Sequence, residues 1–168
     1  MTNKQFTKRE LEALYQLVKE YQENSPETED EYYNDYYDEY EEPINNRIIL
    51  SILKKIDLQL PKEVREEIDK DFLRKKYHTY NNFVDDNVYQ KIKKALDKLK
   101  TVEISYFNME SAKFKKRNID VYYTSAKYTI GYCHLRRAIR KFRTSRIVSA
   151  KLIDQTYNIL KDFNKNDY

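Results

Sequence analysis

Arginine is the side chain in this sequence best suited to site chemistry, and it is concentrated in one place. Between Arg136 and Arg146 the stretch "RRAIRKFRTSR" places five arginines and one lysine in eleven residues. A planar guanidinium forks two hydrogen bonds onto a phosphate or carboxylate, so this density points to an anionic partner. Ile139 and Phe142 interrupt the charges, with Leu135 and Ile147 at the flanks, which a purely solvated basic run would not need. Spacing alone leaves the geometry open. On a helix Arg136, Arg140 and Arg143 share a face; on a strand Arg140 and Arg143 point opposite ways. Tyrosines in the same half (Tyr106, Tyr122, Tyr128, Tyr132) could stack on bases.

Catalytic and metal constellations are nearly absent. The chain has one glycine, so no glycine-rich phosphate loop can form, and it has no HExxH or GxxxxGK[ST] motif. Cys133 and His134 are adjacent, and adjacent strand residues face opposite sides, which does not suit a nucleophile and its base. His78, His134 and Cys133 lack metal-ligand spacing. The expectation is a non-enzymatic protein with no cofactor and no metal.

Charge is divided unevenly. Residues 1–60 carry 7 basic and 14 acidic residues, and residues 61–168 carry 25 and 14. Either an anion binds the C-terminal part or the acidic N-terminal part screens it. The lone cysteine, the absence of a long apolar run and a start without signal-peptide features lead us to expect a cytoplasmic protein away from the membrane.

The elements that must carry these residues change character along the chain. Thr7 and Glu10 fit a capping box, and Leu11, Leu14, Val18 and Tyr21 repeat at helical spacing. Glu23–Pro43 holds ten carboxylates, five tyrosines and no basic residue, and reads as a self-repelling loop. Asn46 can cap a second helix with Ile48, Ile49, Ile52, Leu53 and Ile56 on its apolar face. Pro61 opens a third helical segment with Val64, Ile68 and Phe72, and residues 73–84 are poorly patterned. Asp85 or Asp86 caps a fourth helix with Val88, Tyr89, Ile92, Ala95, Leu96 and Leu99 on one side. From Thr101 the signal is β: "TVEISYF", "KRNIDVYY", "KYTIGYC" and "SRIVSAKL" alternate or are rich in β-branched and aromatic residues. "DQTYNILKDF" from Asp154 reads as a short closing helix. The domain expectation is a helical extension over residues 1–60 with an acidic loop at 22–43, a helical lead-in at 61–100, and a small β-barrel with a closing helix at 101–168.

Residues from about Leu58 to Tyr157 resemble a WYL domain. The resemblance rests on "KALDKLKTVEISYF", "RNIDVYY", "KYTIGYCHLRRAIRKFRTSRI" and "AKLIDQTY". Its most specific part is Gly-Tyr-Cys-x-Leu-Arg followed by Ile-Arg-x-Phe-Arg-x-x-Arg-Ile. Two motifs depart from the family: Tyr128-Thr129-Ile130 stands where Trp-Tyr-Leu is usual, and Val121 replaces a proline. The resemblance implies an α+β fold with a five-stranded barrel of the Sm or SH3-like kind. It also implies a basic pocket that senses a nucleotide or single-stranded nucleic acid and signals to a transcription or phage-defence partner. Carried over residue by residue, that pocket comprises Tyr106, Arg117, Tyr132, Arg136, Arg140, Arg143 and Arg146. Arg117 and Arg143 would clamp phosphate, and Tyr132 would offer a stacking wall. Arg146 has a competing role as a structural arginine bonded to backbone carbonyls. Tyr128, Ile130, Ile139, Phe142 and Ile147 are assigned to the core. No basic DNA-reading helix is evident in residues 1–60, so the expectation is a sensor without the usual reader. A protein-interaction adaptor built on the first two helices is the alternative, and homodimerisation stays open.

Overall fold

In the computed structural model the described residues are 5–24, 44–78 and 84–168. Most of the acidic tyrosine-rich tract, residues 25–43, lies outside them. The chain divides into two compact units, residues 1–69 and 70–168.

The first unit is helical. α1 spans Lys8–Asn24, α2 Asn46–Asp57 and α3 begins at Lys62. The capping box forms as its residue types demand. The Thr7 amide donates to Glu10 Oε2 at 2.7 Å, and the Glu10 amide donates to Thr7 Oγ1 at 3.4 Å. The cap of α2 is Asn45, one residue before the expected Asn46, with its side chain accepting from the Arg47 amide. Leu11, Tyr15, Ile56 and Leu60 make the buried centre, with Leu14, Ile52, Leu53, Val64 and Ile68 packed around it. Ile48, expected in the apolar face, instead stands exposed. The Tyr15 hydroxyl lies 3.1 Å from both carboxylate oxygens of Asp69. Burial, reinforced by the Asp69 charge, pushes the Tyr15 phenol up to about 12.

The second unit holds the end of α3, which runs to Lys76, then α4 (Asp86–Asp97) and five strands. The strands are β1 (Lys100–Asn108), β2 (Lys113–Thr124), β3 (Tyr128–Cys133), β4 (Ala138–Arg143) and β5 (Ile147–Thr156). They form one antiparallel sheet in the order β4-β3-β2-β1-β5. The expected barrel is therefore not closed: among the described residues β4 and β5 are the two edges of an open sheet. The physical reason lies in the last crossover. A single 3-10 turn, Thr144–Arg146, carries the chain from β4 into β5, and β5 then ladders with β1 rather than with β4. The sheet still curls strongly enough that the ring of Tyr106 on β1 meets that of Phe142 on β4, centroids 5.2 Å apart and edge to face.

Register sorts the side chains onto two faces. Val102, Ile104, Ile119, Val121, Cys133, Phe142, Ile147 and Ala150 point inward and pack with Val88, Ile92 and Ala95 of α4. Asp85 sets that helix by accepting the Val88 amide at 3.0 Å. The single glycine is required where it sits. A Cβ at Gly131 would lie 2.2 Å from the Asp120 carbonyl oxygen on the neighbouring strand. The segment after Asp154 is not the expected helix. It continues β5 to Thr156, and its only helical turn is a short 3-10 turn at Lys165–Asp167. Tyr157 and Phe163 from this tail pack their rings against Tyr122.

Candidate functional site

The strands divide the sequence-derived residues between the two faces of the sheet. β2 is decisive because Lys113, Lys115, Arg117, Ile119 and Val121 alternate along it. Ile104 pairs with Arg117 and Tyr106 with Lys115, so Arg117 and Lys115 share the inner face with Ile104 and Tyr106. Arg140 pairs with Gly131 and also falls on the inner face, two residues from Phe142. Tyr106, Arg117 and Arg140 are thus on one side, with Lys115 beside Tyr106.

Arg117 is the unusual member. It is 7% exposed. Its Nη1 reaches only the Cys133 thiol, a weak acceptor, at 3.9 Å, and its buried Nε has no partner. Removing a guanidinium from water costs several kcal/mol unless an anion or good acceptors replace the hydration.

The other four residues lie elsewhere. Tyr132 pairs with Asp120 on the outer face, and its ring packs edge to face on His134. Arg143 pairs with Tyr128, also on the outer face. Its guanidinium lies 5.6 Å from the Tyr128 ring centre, and its Nη2 is 3.5 Å from the Tyr128 hydroxyl. That hydrogen bond, with the charges of Lys127 and Lys141, holds the Tyr128 phenol below its usual range. Tyr128, assigned to the core from sequence, is instead half-buried beneath three cations, whereas Ile130, Phe142 and Ile147 are buried. Arg136 is exposed in the β3–β4 turn. Arg146 donates from Nε to the Tyr77 carbonyl at 3.2 Å, the structural role that competed with ligand binding.

Two features escaped the sequence reading. Lys115 was readable, because Lys113-x-Lys115-x-Arg117 alternates at strand period. The second is a buried polar cluster on the outer face. Asp120 accepts from Thr101 Oγ1 at 2.6 Å and from His134 Nε2 at 2.9 Å. No local spacing announces it, since it needs the β1–β2 and β2–β3 registers together. Burial, with the Asp120 charge adding to it, raises the phenols of Tyr122 and Tyr157. Cys133 and His134 do face opposite sides, one toward Arg117 and the other toward Asp120.

Among the described residues no group of three or more His, Cys, Asp or Glu side chains could hold a metal ion. No helix among them is long and apolar enough to cross a membrane.

Comparison with known proteins gives three findings. No curated protein matches the chain. Among solved structures, the proteasome accessory factor B/C (PafBC) of Arthrobacter aurescens aligns with 90% of this chain at 16% identity and a TM-score of 0.37. The chain covers about a fifth of that protein, 21% of its length. The family model of the WYL domain matches residues 87–152, a narrower span than the resemblance at 58–157. That match runs from α4 into β5, with Arg117 and the whole arginine stretch inside it.

Proposed function

We propose that the sheet unit is a ligand-sensing regulatory module. It binds a nucleotide or single-stranded nucleic acid on the inner face and passes the bound state to a transcription or phage-defence partner. The observation that carries this reading is Arg117, a buried guanidinium with an unpartnered Nε. A ligand phosphate would supply the acceptors that the fold withholds. Arg140 and Lys115, exposed on the same face, add positive charge, and Tyr106 lies opposite Lys115 in the register with its hydroxyl accepting from the Arg143 amide at 3.4 Å. In this reading Arg136 contributes from the turn as a rim charge, Arg143 and Tyr132 serve the outer face, and Arg146 holds Tyr77. The protein acts by binding, without a reaction of its own.

The test is direct. Protein purified natively is examined by mass spectrometry for a co-purifying nucleotide or oligonucleotide. Short labelled single-stranded oligonucleotides and cyclic dinucleotides are then titrated by anisotropy. Arg140→Ala should weaken binding about tenfold without moving the melting temperature, because an exposed charge contributes little to stability. Affinity should also fall steeply with salt. Saturable binding that ignores both Arg140→Ala and Arg117→Met would remove the inner face from consideration.

A further inference from the structure

The outer face of β3 and β4 gathers cations that the inner-face reading does not use. From Val121 to Ile153 the chain has eight lysines and arginines and no Asp or Glu. Register brings part of that charge to one place. Tyr128 pairs with Arg143, Ile130 with Lys141 and Tyr123 with Ile130, so these side chains share the outer face. The charged ends of Lys127, Lys141 and Arg143 lie 5.5, 4.6 and 5.6 Å from the centre of the Tyr128 ring. That of Lys165 lies 5.0 Å from the centre of the Tyr123 ring on the neighbouring strand.

Contacts with the rings hold these groups in place, but like charges gathered this closely repel one another. Lys141 also donates to the Tyr168 carbonyl oxygen and Arg143 to the Tyr128 hydroxyl. An ammonium and a guanidinium carry more donors than these bonds use. The partner that suits such a patch is a line of closely spaced anions. A single strand is the poorer fit, because cations lie over both rings and leave no bare face on which a base can stack. A lipid surface is also a poor fit, because Ile130 at the centre of the patch is buried and cannot enter it. A duplex keeps its bases paired and offers regularly spaced phosphates.

We propose that the outer face of β3 and β4 is a sequence-independent binding surface for the phosphate backbone of duplex DNA, with Lys127, Lys141, Arg143 and Lys165 as its contacts. Alternation along the two strands then separates two sites: the inner face keeps the nucleotide and the outer face takes the duplex.

Fluorescence anisotropy of the full chain with a short labelled duplex of mixed sequence tests the proposal. The duplex should bind at low salt, with log K falling against log salt at a slope of about −3. Lys127→Glu combined with Lys141→Glu should weaken binding at least tenfold and reduce that slope by about 2. Both lysines are exposed, so the melting curve should not move. Arg140→Ala, on the inner face, should cost the duplex only a small fraction of that loss. Absence of duplex binding overturns the proposal, as does binding indifferent to the lysine pair or weakened equally by Arg140→Ala. Tighter binding to the matching single strand, or to vesicles of equal parts phosphatidylserine and phosphatidylcholine, overturns the assignment to a duplex. Duplex binding that depends on the lysine pair supports it even if no nucleotide binds the inner face, so the two readings fail in different arms.

Discussion

Two charged side chains on β2, three residues apart, are both about 7% exposed and are treated in opposite ways. Asp120, on the outer face, has hydrogen-bond donors from Thr101 and His134. Arg117, on the inner face, has a thiol at 3.9 Å and an Nε with nothing. Burial alone therefore does not distinguish scaffold from site; satisfaction does. A buried charge whose partners are supplied by the fold is part of the fold. One whose partners are missing is costly in the protein alone, and in the proposed reading a ligand phosphate completes it.

The sharpest way to break this comparison is to truncate both residues and compare melting curves. Asp120→Ala strips partners from Thr101, which is fully buried, and from His134. It should destabilise the sheet unit by about 3 kcal/mol, seen as a fall of more than 10 °C in its calorimetric transition. Arg117→Met keeps volume and removes an ill-solvated charge. It should leave the transition unchanged or raise it by a few degrees, while nucleotide affinity falls at least tenfold. Equal destabilisation by the two variants would mean that Arg117 is structural after all.

Tyr15 sharpens the same rule on a smaller scale in the helical unit. Its phenol is buried and faces Asp69, and its folded pKa stands near 12 against an ordinary value of 10. The raised value means that the folded state holds the proton more tightly. The stabilisation is complete below pH 10 and is lost as pH rises from 10 to 12. Thermal midpoints followed by helical circular dichroism should drop across that window, and Tyr15→Phe should flatten the drop. An unchanged slope in Tyr15→Phe would assign the alkaline loss to other groups.

Much of this was legible from residue types. Thr7 with Glu10 announced a cap that forms as written, and the hydrophobic period of α4 locates Val88, Ile92 and Ala95, which become buried, whereas that of α1 finds Leu11 and misses the buried Tyr15. Four of the five strands were legible from alternation or composition, while β4 was not, because spacing left the arginine stretch open between helix and strand. What could not be read was the side each arginine takes, because that depends on loops and bulges. The β3–β4 turn sets the parity that sends Arg140 inward and Arg143 outward, and a register shift between Val121 and Tyr123 reorders the end of β2. Asp120 meets His134 only after β2 and β3 are paired. The closed barrel failed for a similar reason: curl is visible in composition, whereas which edges ladder together is decided by a three-residue crossover.

Thr129 occupies the position at which the family's usual tyrosine is replaced. It is fully buried, its hydroxyl 3.0 Å from that of Thr124 and 3.1 Å from that of Thr144, which in turn donates to the Ser125 carbonyl. These hydroxyls now depend on one another, so position 129 is no longer an independent choice. Restoring tyrosine there would require Thr124 and Thr144 to change with it. Position 129 is one member of a coupled trio, and a change at any one of these hydroxyls is felt by the other two.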